Sequence, residues 1–286
     1  MAQASHVAPK LSTERAKAAH STLDAARSGL LLARGLAMSY GFGPMIPFIE
    51  RILKPFRRPR LRLAERLVCE QVALGTEYGG YAFCPTLVNA KSVVYSFGVG
   101  CDVSFDQELI ALRGVTVHAF DPTPRSIEWV KAQALPKAFV FHPWGIAGFD
   151  GTATFHPPEN PTHVSHTLLA KGEPASGAFE VPVFRLKTIM DKLGHDRIDI
   201  LKMDVEGAEY GVLEDVLGSD IPIAQILIEF HHHRPEVSLA TTQKAIDQLE
   251  RAGFRAFHES RSGYEFSFLR ADLATSAKAP SAASAG

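Results

Sequence analysis

From about residue 90 the chain alternates short β-branched and aromatic runs with stretches of helical period, and no other feature restricts its fold as far. Ser92–Phe97 (SVVYSF) reads as a strand that stops at glycines, with a helix over about Phe105–Leu112 behind it. Val115–Phe120 (VTVHAF) is the next strand and ends at Asp121-Pro122; a helix over Arg125–Leu135 follows. Ala138–His142 is a third strand. After a Pro- and Gly-rich middle come the strand Asp199–Met203, a helix near Ala208–Leu217, the strand Gln225–Phe230 and a helix over Thr241–Ala252. FRAFHES and YEFSFLR close the chain as two strands around a short turn holding Gly263. Strands separated by helices in this way predict an α/β fold: a Rossmann-type, doubly wound, mostly parallel sheet. The C-terminal hairpin adds one antiparallel strand, at the sheet edge or within it. With 286 residues, 46% of them hydrophobic, the chain is long enough for one large core and an added segment.

In such sheets ligands bind beyond the carboxyl ends of the strands. Gly98-Val99-Gly100-Cys101-Asp102 follows the first strand, and glycines there let backbone approach a ligand closely. Asp121, 23 residues past Gly98, ends the second strand, where an acid usually meets ribose hydroxyls. Together they predict an adenosine site; the alternative is a tight turn and a solvated Asp. A dinucleotide fingerprint needs a third glycine where Val103 stands, and Asp102 and Asp106 would repel a diphosphate. A nicotinamide dehydrogenase is disfavoured on that ground. A nucleoside carrying positive charge, S-adenosyl-L-methionine, suits the turn better.

The segments VVYSFGVGCDVSFD, VHAFDPTP, FHPWGIAGFDG, DILKMDVEGAEYGVL and ILIEFHHH resemble the FkbM-type methyltransferases, from about Tyr78 to about Arg270. KMDVEGAE (Lys202–Glu209) is the most specific piece. The resemblance implies a class I methyltransferase-like fold, a seven-stranded sheet with one antiparallel strand, and S-adenosylmethionine-dependent O-methylation of a small molecule such as a sugar or polyketide. It assigns Gly98 and Gly100 to the cofactor turn, Asp121 with Pro122 to the ribose and Trp144-Gly145-Ile146 to the adenine. Asp204 then faces cofactor and acceptor. The chain departs from the family where Ser96 replaces an acid and Asp102 a glycine. Ser96 is carried over with the turn, and Asp102 becomes the candidate holder of the methionine ammonium.

A neutral hydroxyl is a poor nucleophile, so methyl transfer to it calls for a base or a metal. Lys202, Asp204 and Glu206 alternate, and on extended backbone they share a face. Lys202 reads as an ion-pair partner of Asp204 or a desolvated base. Glu206 and Glu209 are equally explained as acids in a first helical turn. Glu229, His231 and His233 share one face if their strand continues, and a histidine titrating near neutrality can serve as base. Asp204, Glu229 and His231 could also hold a divalent metal, which is possible but not favoured. Residues 148–180, with His163 and His166, are expected to form a flap over the acceptor.

The charge is uneven. Residues 1–67 carry 12 Lys and Arg against 4 Asp and Glu, although the whole chain balances at −1. That balance argues against recruitment to nucleic acid. Gly29–Ile49 is apolar with one charge, Arg34, and RILKPFRRPRLR (Arg51–Arg62) follows it. Pro44, Pro47 and four glycines make a regular membrane helix a poor fit. The open readings are a helical cap on the main domain, peripheral contact of residues 29–62 with anionic lipid, and a span. Residues 1–67 form a basic N-terminal helical, partly disordered segment in this reading, 68–270 a methyltransferase domain and 271–286 a disordered tail. Cys69, Cys84 and Cys101 form no CxxC pair; a reducing, cytoplasmic setting fits, possibly at a membrane surface. The competing function is a non-catalytic S-adenosylmethionine-binding or membrane-associated module.

Overall fold

The computed structural model describes residues 60–155 and 179–274. Residues 29–59, most of the expected flap and the tail from 275 lie outside the described residues. The chain divides into two units between Arg60 and Leu61, and all the structure described below belongs to the second.

Its centre is a seven-stranded sheet built from β3 (Val93–Phe97), β4 (Thr116–Phe120), β5 (Phe139–His142), β9 (Ile198–Met203), β10 (Ile223–Glu229), β11 (Phe254–Glu259) and β12 (Glu265–Arg270). Their order is β11-β12-β10-β9-β3-β4-β5. β12 runs antiparallel to both β10 and β11, and the remaining pairs are parallel. The expected antiparallel strand therefore lies within the sheet, not at its edge.

Helices cover both faces, which is why the strands read as unbroken apolar runs rather than alternating ones. In β10, Ile226 and Ile228 enter one core with residues of α3 (Leu186–Leu193), α4 (Glu209–Leu217) and α5 (Leu239–Arg251). Leu227 enters the other, with Phe105 and Leu109 of α1 (Ser104–Arg113) and Val130 of α2 (Pro124–Lys131). α2 ends at Lys131, four residues before the expected Leu135. Pro136 keeps Leu135 out of the helix, because the residue preceding a proline avoids helical angles. β10 begins two residues earlier than expected and ends at Glu229, leaving Phe230 outside it.

Two small sheets had no counterpart in the sequence reading. β1 (Val72–Leu74) and β2 (Tyr81–Phe83) form a hairpin packed on the second core. Gln225, wholly buried in β10, anchors it: its Oε1 accepts from Cys84 N (2.7 Å) and its Nε2 donates to Cys84 O (3.1 Å). Within the expected flap, β7 (Gly151–Phe155) and β8 (Phe179–Phe184) pair antiparallel, and β6 (Gly145–Ile146) joins β8. The flap is thus strand at both ends, while residues 156–178 lie outside the described residues. Leu67 N donates to Ala256 O (2.9 Å), so the chain just before β1 runs along β11. Among the described residues no helix is long and apolar enough to cross a membrane.

One polar cluster interrupts the first core. His118 in β4 meets His142 in β5 (Nδ1 to Nε2, 3.1 Å), and the His195 ring lies 4.9 Å from that of His118. Tyr95 OH bonds His195 Nδ1 at 2.7 Å. Burial, then the neighbouring imidazoles, pull His118 down to about 4 from 6.5. The folded state thus binds this proton less readily than the unfolded chain. The stability that follows is complete above pH 6.5 and drains away as pH falls toward 4. His118→Phe is expected to remove about 2 kcal/mol of that acid sensitivity, the partial exposure of the ring having been discounted. Urea midpoints at pH 7 and 5 check it; identical pH dependence in the variant would exclude His118 as the source.

Candidate active site

An open cleft of about 840 Å³ lies at the carboxyl ends of β3, β4 and β9. Backbone bonds draw these ends together. Gly98 N donates to Phe120 O (3.0 Å) and Asp204 N donates to Phe97 O (3.1 Å). Gly98 has φ +81°, and a Cβ there would lie 1.7 Å from the Asp204 carbonyl oxygen. Only glycine allows this approach.

The turn then passes along the cleft. Gly100 N donates to Asp121 Oδ2 (2.9 Å), and Asp121 Oδ1 accepts from Thr123 N (2.9 Å) and Thr123 Oγ1 (2.7 Å). Three of the four acceptor positions of this carboxylate are filled, two by its own loop and one by the glycine turn, so it enters the cleft already oriented. Asp102 is committed in a similar way. Its Oδ1 accepts from Ser104 N (2.8 Å) and its Oδ2 from Thr76 Oγ1 (2.6 Å). These bonds outweigh burial and hold its carboxyl below the usual range. They also strap the tip of the β1–β2 hairpin over the turn, placing Tyr78 and Gly79 on the cleft wall. The opposite wall is aromatic. Trp144 packs against His142 (4.9 Å between rings) and Phe184 (5.8 Å). Gly145 lets β6 close on Pro122, since a Cβ there would lie 3.2 Å from the proline ring.

Ser96 is the exception among the expected turn residues. It is wholly buried in β3, paired in register with Lys202, and absent from the cleft wall. Strand alternation sends its side chain under the turn rather than into the cleft.

The far end of the cleft is acidic. Asp204 and Glu206 line it together with Lys202. Lys202 is buried; its Nζ donates to Gly98 O (3.3 Å) and stands 5.1 Å over the Tyr81 ring. It is thus bound to the turn rather than poised as a base. Glu229 and His231 lie behind the acids. The strand does not continue past Glu229, so the expected shared face is not how they meet. Instead the chain turns, and His231 Nε2 comes 3.6 Å from Asp204, 3.3 Å from Glu206 and 4.0 Å from Glu229. His232 and His233 turn away toward Tyr264, with ring centroids 5.0 and 4.8 Å from it.

Glu209, at the start of α4, directs this arrangement. It is fully buried, with Oε2 accepting from Gly207 N (2.8 Å) and Oε1 accepting from His231 N (3.0 Å). The same oxygen lies 3.1 Å from His231 Nδ1. Helix-start preference alone accounted for this acid in the sequence; no local signal announces its reach to residue 231. Glu206 has φ +54°, and Arg234 donates to its carboxylate.

These contacts redistribute protons. Burial opposes charge on His231, but Glu209, Glu206 and Asp204 outweigh it and raise the imidazole to about 9. The acids thus favour the protonated imidazole, and a proton has to leave Nε2 before it can serve as base or ligand. Burial and the Asp204 charge push Glu229 upward. Burial also pushes Asp204 up, to about 6, against the pull of Lys202 and His231. Its side chain is still 31% exposed to the cleft, and solvent there tempers the shift. Tyr78 stands on the wall of the same cleft, largely exposed.

Residues 65–256 match the family model described as the methyltransferase FkbM domain. The chain is similar to the probable methyltransferase-like protein 24 of Rattus norvegicus, 29% identical over 175 residues, covering 58% of this chain and 42% of that protein. The Homo sapiens protein of the same description is 28% identical over 180 residues, covering 59% and 43%. The chain therefore spans less than half the length of these relatives. The crystal structure of the antibiotic-resistance methyltransferase Kmr aligns over 70% of this chain and all of its own, with a TM-score of 0.30 and 12% identity.

Gly98→Ala is expected to cost more than about 3 kcal/mol, because backbone on both sides must move. Gly100→Ala, where a Cβ meets nothing within 4 Å, should cost only about 1 kcal/mol for its φ of +53°. Denaturant melts of the two proteins separate these values; equal costs would sink the account of the strand junction.

Proposed function

Since the chain belongs to the FkbM methyltransferase family, we propose that this cleft binds S-adenosylmethionine and methylates a hydroxyl group of a small molecule. The observation that carries the reading is the joining, in one cleft, of an oriented glycine turn and aromatic wall to a half-buried group of carboxylates. The residues present fit the cofactor. Gly98 and Gly100 bring backbone to the cleft, Asp121 retains one acceptor position for a ribose hydroxyl, and Trp144, Pro122 and Ile146 offer a flat apolar wall for a purine. A methionine ammonium suits the acidic surroundings of Asp102 and Asp204. When bound, S-adenosylmethionine supplies a methyl group on a cationic sulfur.

The protein's own residues do the rest. Asp204 ends β9 where turn and acids meet, and its upward shift brings it nearer the operating pH of a general base. It is the residue placed to accept the hydroxyl proton. Lys202 holds the Gly98 carbonyl and offsets part of the charge on Asp204. Tyr78 covers the rim, and Phe155 closes the aromatic side against water. Choice of acceptor, a cytoplasmic setting and peripheral contact of residues 29–62 with anionic lipid belong to this proposal; the last two rest on cysteine usage and on charge.

Calorimetric titration with S-adenosylmethionine, S-adenosylhomocysteine and NAD tests the reading. Micromolar binding of the first two and none of NAD is expected. Asp121→Ala should weaken both by about tenfold, close to 1.4 kcal/mol, through the lost ribose contact and a loosened turn. Failure of both S-adenosyl compounds to bind would overturn the proposal. Binding without turnover on any hydroxylated acceptor would leave a binding module in its place.

A further inference from the structure

His231 is an odd side chain for a protein interior. Its imidazole is 3% exposed, and Glu209 occupies the Nδ1 side. Nε2 points into a group of carboxylates, yet among the described residues no hydrogen bond closes on it. A carboxylate behind one imidazole nitrogen, with the other aimed at acids, is the arrangement that orients a histidine toward a metal.

The distances agree. One ligand atom from each of Asp204, Glu206 and His231 lies within 4.8 Å of the others. Metal bonds near 2.1 Å place ligand atoms about 3 Å apart in neighbouring positions and about 4.2 Å apart in opposite ones. The cluster reaches that spacing by closing a few tenths of an ångström to about 2 Å. Glu229, 4.0 Å from Nε2, stands beside the group as a further carboxylate. Three carboxylates thus face Nε2, with Arg234 bonded to Glu206 from outside.

We propose that Asp204, Glu206 and His231 hold a small divalent cation of the Mn²⁺ class, with its remaining coordination positions turned to the cleft. Carboxylates with a single imidazole, and no thiolate, favour Mn²⁺ over Mg²⁺, which seldom takes nitrogen, and over a structural zinc. Asp204 and Glu206 line the cleft whereas His231 lies behind them, so the cation is reached only from the acceptor side. There it takes up hydroxyl oxygens, preferably two on adjacent carbons, and lowers their pKa, while the Asp204 oxygen that does not bind the cation takes the proton released. This last step rests on the methyl-transfer reading; the cation site does not. Glu209 is a positioning residue, acting through the imidazole.

The full chain, stripped with a chelator and dialysed, is titrated with Mn²⁺ alone and followed by electron paramagnetic resonance. One Mn²⁺ per chain should bind below about 1 mM, with pulsed spectra showing coupling to an imidazole nitrogen. Glu206→Gln and Glu209→Gln should each weaken it about tenfold or more. Melting curves and S-adenosylhomocysteine affinity serve as controls for folding. Absence of bound Mn²⁺, or bound Mn²⁺ without nitrogen coupling, overturns the site, and neither result depends on a variant folding. Homocysteine-derivative binding without Mn²⁺ would sink this inference alone. Nitrogen-coupled Mn²⁺ without that binding would instead sink the cofactor reading.

Discussion

The backbone of Gly98 touches the backbone of Asp204 with no room for one carbon between them. Much of the site depends on that contact. It holds the end of β3 against the end of β9, while Gly98 N ties the same point to β4. The glycine turn and the acid loop, which are over a hundred residues apart in sequence, thereby share a wall. Lys202 reinforces it from beneath by donating to the Gly98 carbonyl. A cleft with the glycine turn at one end and the acids at the other follows from this junction, because neither end retains its geometry if the strands part.

The charges around the junction are equally interdependent. The Lys202 ammonium acts on Asp102, Asp106 and Asp204 at once, and on each it opposes protonation. Burial opposes it at all three. Asp102 escapes through hydrogen bonds from Ser104 and Thr76, whereas Asp106, lacking comparable support, is raised. Acids of one type, close together in sequence, therefore carry different proton affinities, and the surrounding donors decide which.

The sheet was legible because burial on both faces leaves a plain signature. Val93–Phe97, apolar but for Ser96, and Ile226-Leu227-Ile228 show no alternation, and Gly98 and Asp121 mark where two of the strands stop. The β1–β2 hairpin was not legible. Its strands are three residues each, too short for a period, and what holds it is Gln225, far along the chain. The site divides in the same way. Gly98, Gly100, Asp121 and Asp204 follow strand ends and could be placed by counting. Ser96 was misplaced because the motif was read as a string, while the pleat sends alternate residues to opposite faces. The link from Glu209 to His231 spans α4 and β10, and no local pattern encodes it. His231 itself was found for its chemical type, but its charge is set by three acids that only folding assembles.

The place of β12 bears on how the molecule is made. It is the last strand among the described residues, yet it lies between β10 and β11. Until residues 265–270 have left the ribosome, β10 presents an open row of backbone donors and acceptors beside Ile226 and Ile228. β11 cannot cover it, for β11 reaches the sheet only through its partner. Synthesis from the N-terminus thus leaves this half of the sheet with an unsealed edge until the hairpin has formed. The nascent chain is most exposed to mispairing just before residues 265–270 emerge, and closure comes with the docking of the hairpin as one piece.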